Sequence, residues 1–266
     1  MIGIFDSGVG GLSVWLEIIK LLPNEPIIYF GDSSYCPYGR KSKEEIINRS
    51  SKITEFLISQ GVDIITVACN TVTAAAIEYL RASYDIPFVG MEPAIKPAIL
   101  NSKTGVVGVL ATKGTLSGEL YLRTLHKFAA DTIVLERPGD GLVELVEEGK
   151  LDTHDGDLLI SKYITPMIEQ NADHIVLGCT HYPFLINAIT KIAGPNIKII
   201  NPAPAVAKRS SQILSELKKD KKHQSSTHSL PYKYMFYTTG DNSKVIEMIV
   251  SNKVDNNYII KDNFVL

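Results

Sequence analysis

Short apolar runs alternate along this chain with longer segments whose apolar residues recur at three- and four-residue spacing. The first pair is IGIF (Ile2 to Phe5) and LSVWLEIIKLL, joined by the glycine-rich turn DSGVGG from Asp6 to Gly11. PIIYF (Pro26 to Phe30) is the next run, and a loop from Ser33 to Ser42 leads into KEEIINRSSKITEFLISQ, with Ser42 as N-cap and Gly61 as stop. Then come DIITVA, the helical NTVTAAAIEYLRASY, and IPFVG (Ile86 to Gly90). Buried parallel strands read as continuous apolar runs, and strands alternating with amphipathic helices at this spacing predict a parallel, right-handed α/β unit.

The pattern then restarts. TGVVGVLATKGTLSG (Thr104 to Gly118) is again strand, glycine-containing turn and helix, and TIVLE is a strand. DGLVELVEEG predicts a short helix ending at Gly149, DGDLLISKYITPMIEQ a longer one, and HIVLG a strand. A helix near Pro183 and the strand IKII (Ile197 to Ile200) complete this half. The strongest internal match pairs DIITVACNT (Asp63 to Thr71) with DHIVLGCTH (Asp173 to His181). In both, a cysteine lies six residues after the aspartate, where a strand gives way to a loop. IPFVGMEPA aligns with IKIINPAPA, starting 17 and 18 residues after the respective cysteines, and GIFDSGVGGLS aligns more loosely with GVLATKGTLSG. A duplicated α/β lobe is the simplest account, set against the recurrence of apolar runs in any parallel sheet.

The expected organisation is two pseudo-symmetric α/β lobes with mainly parallel sheets and a site between them. Residues 1–93 plus 205–266 form the first lobe and residues 94–204 the second, with crossovers at the proline-bearing MEPAIKPAILN and NPAPAVAKRSSQILSELKK. The polar stretch 220–231 reads as a mobile loop. YKYMFYTTG is a strand, Asp241 caps a last helix, and NYIIKDNFVL is a terminal strand or tail that returns to the first lobe.

Composition narrows the function classes. The chain has 266 residues, 45% of them hydrophobic, and a formal charge of -2; its mean hydropathy is +0.07 and its pI about 6.3. These values supply a sizeable core but no electrostatic footprint for nucleic acid. No apolar run approaches a membrane span and the start lacks a signal-peptide pattern, so the expected location is cytoplasmic. Three cysteines without a C-x-x-C pair argue against a disulfide framework or a structural zinc site.

Ligands of open α/β sheets bind at the carboxyl ends of strands, and two equivalent thiols at two strand ends suggest one site approached from two sides. A thiol there can be a nucleophile, a metal ligand or a proton carrier. A nucleophile leaves the twin unexplained. A metal could use Cys69, Cys179 and His181, without the spacing of a recognised metal motif. Inversion of a carbon centre uses both thiols, since a base takes the proton from one face while an acid returns one to the other. Candidate helpers are His181, two residues beyond Cys179, and Asp6 at the end of the first strand; a solvated loop histidine and a helix-capping aspartate are the ordinary alternatives. Gly8-Val9-Gly10-Gly11 presents backbone N–H groups that suit an anion. Ser13 occupies the last position of a dinucleotide G-x-G-x-x-G, so a carboxylate is the expected guest. Ser7, Asn70, Thr71, Thr112 and Thr180 are further donors at strand ends. Cys36, in a loop without a twin, reads as incidental.

At GIFDSGVGGLSV, GDSSYCPYGRKS, VACNTVTAAA and LGCTHYPFL the sequence resembles the glutamate racemases of the cofactor-independent aspartate/glutamate racemase superfamily, in that family's order and spacing, from Met1 to about Ser211. The resemblance implies interconversion of L- and D-glutamate, supplying D-glutamate for peptidoglycan. Cys69 and Cys179 would transfer the protons, Cys69 on the D-enantiomer and Cys179 on the L-enantiomer. Asp6 would assist Cys69, while His181 and Glu147, chosen over Glu148, would assist Cys179. Ser7, Pro37, Tyr38, Gly39, Asn70, Thr71, Thr112 and Thr180 would bind substrate, with Pro37-Tyr38-Gly39 offering mostly backbone donors. The resemblance implies no metal, flavin or pyridoxal phosphate. It also allows a homodimer, since family members are often dimers. The chain starts at its first strand, unlike family members activated by a peptidoglycan precursor, and is expected to need no such activation. The rivals are a racemase of aspartate or another acidic amino acid, separated by about 1–3 kcal/mol per methylene in an apolar slot, and a non-catalytic carboxylate- or nucleotide-binding module.

Overall fold

The structure is a computed structural model that describes residues 1–92, 94–129, 131–151, 153–220, 232–255 and 257–266. Its elements begin with β1 (Ile2–Asp6), α1 (Leu12–Leu21), β2 (Ile27–Gly31), α2 (Lys43–Ser59), β3 (Ile64–Val67), α3 (Asn70–Ser83) and β4 (Phe88–Gly90). They continue with α4 (Ile95–Asn101), β5 (Val106–Ala111), α5 (Lys113–Leu116), α6 (Glu119–Phe128), β6 (Ile133–Pro138), α7 (Leu142–Glu147), α8 (His154–Glu169) and β7 (His174–Gly178). The last are α9 (Ile186–Ala193), β8 (Lys198–Ile200), α10 (Ala203–Asp220), β9 (Tyr234–Thr238), α11 (Ser243–Val250) and β10 (Tyr258–Lys261).

Ser42 caps α2 as read from sequence: its hydroxyl accepts from the Glu45 amide while the Glu45 carboxylate takes the Ser42 amide. The segment after β2 is less irregular than a plain loop, with single 3₁₀ turns at Ser33–Tyr35 and Tyr38–Arg40. Asp241 does not cap the last helix. Asn242 precedes α11, and its side-chain amide is directed elsewhere. The polar stretch expected to be mobile lies outside the described residues except for Asp220, which ends α10.

The strands form two sheets, β10-β9-β2-β1-β3-β4 and β6-β5-β7-β8, and every pairing among the described residues is parallel. The order β2-β1-β3-β4 repeats as β6-β5-β7-β8, so the two halves share a topology as well as a sequence pattern. β9 and β10 extend only the first sheet, next to β2. One buried apolar cluster runs through both sheets, from Ile4 and Tyr29 to Leu110 and Leu177. Trp15 on α1 meets Phe236 and Tyr234 of β9 edge-on within it. Separate clusters cover the outer faces, one around Phe30 and Leu57, the other around Val109 and Tyr121. Among the described residues no helix is long and apolar enough to cross a membrane.

The aspartate that opens each cysteine strand has the same structural task. Asp63 accepts from the Met1 ammonium at 2.7 Å, just before β1. Asp173 accepts from Ser102 Oγ and from the Lys103 and Thr104 amides at 2.7, 2.6 and 3.1 Å, just before β5. Each thus ties its strand to the start of the central strand beside it, at the edge remote from the cysteine. Despite partial burial, the bonds from His174, Ser102 and the two amides hold Asp173 well below the usual carboxylate range. Asp173→Ala removes these acceptors, and chemical denaturation should show a loss of about 1–2 kcal/mol, with unchanged spectra of the folded state.

Candidate active site

Cys69 lies two residues beyond the end of β3, in extended backbone at the N-cap of α3, and Cys179 follows β7 directly. Both side chains are buried and line one small cavity between the sheets. Ser7, Asn70 and Thr71 line it from the six-stranded side, and Thr112, Thr180 and His181 from the four-stranded side. Pro37, Tyr38 and Gly39 close it from above. Asp6 and Glu147 do not line the cavity; each stands behind a lining residue.

On the first side, Cys69 Sγ is 3.8 Å from Ser7 Oγ, which donates to Asp6 Oδ1 at 3.4 Å. Asp6 Oδ2 accepts from the Gly11 amide at 2.7 Å and from Thr180 Oγ1 at 3.3 Å. Burial pushes Asp6 above the usual carboxylate range, opposed in part by the nearby His181. Burial and the charge of Asp6 likewise push Cys69 well up. Desolvation therefore disfavours a second negative charge here, and a proton can be shared between the carboxyl and the thiol.

On the second side, His181 Nδ1 is 3.7 Å from Cys179 Sγ, and Nε2 is 2.6 Å from Glu147 Oε1. A carboxylate can only accept, so Nε2 carries the hydrogen and Nδ1 is free to take a proton from the thiol. Burial alone would lower the His181 pKa, but contacts with Cys179, Cys36 and Glu147 outweigh it and hold it well above the ordinary value. Glu147 is itself fixed by the Val9 amide at 2.6 Å, Asn242 Nδ2 at 3.1 Å and Ser33 Oγ at 3.4 Å. Glu148, the rejected alternative, is exposed and pairs with Lys150.

Two sequence expectations need correction. The glycine turn does receive carboxylates, but they are the protein's own: the Val9 amide goes to Glu147 and the Gly11 amide to Asp6. Glycine is required there by close approach. A Cβ at position 8 would lie 1.9 Å from Glu147 Oε1, and one at position 10 would lie 2.2 Å from His181 Nδ1. Nor is Cys36 incidental. Its Sγ, a Glu147 carboxylate oxygen and a His181 ring nitrogen lie within 4.8 Å of one another, and burial pushes its thiol up to about 12. Among the described residues this is the group of three ligating side chains that gathers; Cys69, Cys179 and His181 do not form one.

The polar lining has one conspicuous vacancy of partners. Both amide atoms of Asn70 are buried without a hydrogen bond, a costly state that a bound polar ligand would relieve. Thr71 and Thr112 share a 2.9 Å hydrogen bond across the cavity, and Thr112 also caps α5. The Tyr38 hydroxyl donates to Asp32, which Arg49 grips with two nitrogens, so this residue offers the cavity its backbone. Pro37 has no N–H to donate, leaving Tyr38 and Gly39 as the amide donors of the loop. Sequence reasoning missed Val143, which lines the cavity one helical turn before Glu147 on α7. The i, i+4 spacing was the available signal. It also missed Ser33 and Asn242 on Glu147, which carried no local signal.

A model of the family described as Asp/Glu/Hydantoin racemase matches residues 11–209. The chain is 49% identical over 214 residues to a glutamate racemase of Herpetosiphon aurantiacus, covering 80% of this chain and 84% of that one. The fold superposes on glutamate racemase from Bacillus anthracis with a TM-score of 0.81 and 33% identity, covering 98% and 96% of the two chains. It superposes on Escherichia coli glutamate racemase, in complex with L-glutamate and the activator UDP-MurNAc-Ala, with a TM-score of 0.86 and 27% identity over 100% and 98%.

The Glu147 contact makes a measurable difference to His181. Glu147→Gln keeps the shape but removes the charge that favours the imidazolium, so the His181 pKa, followed by NMR of the ring, should fall relative to the parent chain. An unchanged titration would show that Cys36 and Cys179 alone sustain the shift.

Proposed function

The chain belongs to the Asp/Glu/hydantoin racemase family, and we propose that it racemises glutamate by proton transfer between Cys69 and Cys179. The observation that carries the mechanism is the pair of buried thiols at topologically equivalent strand ends, lining one cavity from opposite sheets. Glutamate racemisation is the activity supported by the relatives' names and structures.

With D-glutamate bound, Cys69 as thiolate takes the Cα proton, its own proton having passed to Asp6. Cys179 as thiol delivers a proton to the opposite face. The reverse reaction starts from the Cys179 thiolate, whose proton rests on His181 Nδ1 while Glu147 accepts from Nε2. Each half therefore has a store for one proton: a carboxylate raised by burial on one side, an imidazole raised by its contacts on the other. The reading needs no redox partner and no Schiff base, because every step moves a proton between named atoms.

Substrate carboxylates and ammonium would meet Ser7, Asn70, Thr71, Thr112 and Thr180, together with the Tyr38 and Gly39 amides. The unpartnered Asn70 amide supports this assignment. In this reading the enzyme works in the cytoplasm, where Cys36, Cys69 and Cys179 stay reduced as free thiols, and its D-glutamate feeds peptidoglycan assembly.

With L-glutamate in deuterated water and no added cofactor, optical rotation should decay and deuterium should appear at Cα; the absence of both with reduced, folded protein would falsify the reading. Cys69→Ala and Cys179→Ala should each lower racemisation by at least about a hundredfold, and a wild-type rate in either would end the two-thiol mechanism. Asp6 must be ionised to accept the Cys69 proton and its pKa is raised, so activity should fall toward acid pH above the ordinary carboxylate range. Asp6→Asn should reduce kcat and remove that limb from the kcat/KM profile.

A further inference from the structure

The proton-transfer scheme uses Glu147 and His181 but leaves unused the third donor packed against them. Cys36 Sγ, a Glu147 carboxylate oxygen and a His181 ring nitrogen all lie within 4.8 Å of one another. Sulfur, imidazole nitrogen and carboxylate oxygen are the ligand set of zinc-class ions rather than of magnesium or calcium. Around a tetrahedral ion with bonds of about 2.0–2.3 Å such donors stand roughly 3.5 Å apart, so the His181–Glu147 pair, now 2.6 Å apart, would spread to admit the ion. The orienting shell is also in place, since the Val9 amide, Asn242 and Ser33 hold the Glu147 carboxylate.

We propose that Cys36, Glu147 and His181 form an inhibitory binding site for a zinc-class divalent cation. Starting from the neutral tautomer of His181, binding breaks the Cys36 S–H and His181 Nε2–H bonds and forms bonds from the ion to sulfur, Nε2 and a Glu147 oxygen; the sulfur proton leaves to solvent and the Nε2 proton moves to Nδ1. The ion also takes the place of the His181–Glu147 hydrogen bond. The imidazole that stores the Cys179 proton is then withdrawn from that task. Inhibition thus rests on the assignment of His181 to Cys179, whereas binding itself does not. The ion is no cofactor: the site serves as a brake reached when free zinc rises.

Cobalt(II) reports the site without reference to activity. Titration of the reduced chain with cobalt chloride should give one ion per chain, visible bands of a four-coordinate ion and a near-ultraviolet sulfur-to-cobalt charge-transfer band. Zinc chloride should displace the cobalt and inhibit racemisation. Cys36→Ser and Cys36→Ala should lose the charge-transfer band, with inhibition by zinc in each read against that variant's own metal-free rate. The zinc concentration for half-inhibition should rise by at least about tenfold. A charge-transfer band that persists in both variants would place the ion on Cys69 or Cys179 and overturn the proposal, as would absence of cobalt binding. Cobalt binding that depends on Cys36, with racemisation untouched by zinc, would overturn the inhibitory part alone. A chain that binds cobalt through Cys36 but racemises nothing even without metal would count against the function and not the site.

Discussion

The carboxylate of Glu147 is the constraint on which the site is built. It sits on α7 beside the four-stranded sheet, yet two of its partners, the Val9 amide and the Asn242 amide, come from segments attached to the six-stranded one. Its remaining strong partner is His181 Nε2. A partly buried carboxylate is tolerable only when its lone pairs are filled, and here the groups that fill them come from both halves of the molecule. The glycines at positions 8 and 10 follow from this requirement, because any side chain there would occupy the space of Glu147 or His181. A turn that resembles an anion-binding loop is instead the surface against which Glu147 and His181 pack.

The duplication explains the equivalence of the two thiols but not their chemistry. β3 and β7 occupy the same place in their sheets and each begins with an aspartate that anchors the neighbouring central strand. Beyond the strand ends the halves diverge. Asp6 ends β1, whereas its counterpart position at the end of β5 is Ala111. Conversely, His181 follows Cys179 by two residues where Thr71 follows Cys69. A carboxyl group behind Cys69 and an imidazole beside Cys179 result from these few exchanges. Burial raises Asp6, while contact with anionic or polar partners raises His181 against its burial, so the two shifts share a direction but not a physical cause.

What was legible in the sequence was local. Among the described residues the apolar runs located nine of ten strands, including β6 and β8, which are only partly buried, with the tail NYIIKDNFVL left between strand and irregular end until β10 showed pairing with β9. Ser42 announced its helix through a neighbour three residues away. The two cysteines and the residues beside them declared their place because strand ends fix them. Cys36, Ser33 and Asn242 did not, since what matters about them is contact with Glu147, at sequence separations of 114 for Ser33 and 95 for Asn242. Asp241 misled for a related reason: the capping rule reads helix starts locally, while Asn242 was recruited by a distant carboxylate. The tasks of Gly8 and Gly10 were equally hidden, because close approach to another segment leaves no trace in the residues adjacent to it.

The cavity between the thiols is about 10 Å³, room for roughly one water-sized sphere, so its lining must move to admit a larger ligand, and parting the sheets is one such movement. The contacts that would have to yield are graded. On the outer rim, Arg123–Glu78 and Arg40–Glu144 are exposed ion pairs, each worth about 0–1 kcal/mol, and Thr71–Thr112 is a single hydroxyl hydrogen bond. Deeper in, the carboxylates of Asp6, buried, and Glu147, partly buried, take hydrogen bonds from both sides, and breaking those would leave acceptors unpaired. The cheapest opening therefore separates the rim and preserves the interior bonds. It would admit substrate past Thr71 and Thr112 while Asp6 and Glu147 keep their partners. Closure then returns a water-poor site, in which each electrostatic contact of Asp6 and His181 is stronger than it would be in water.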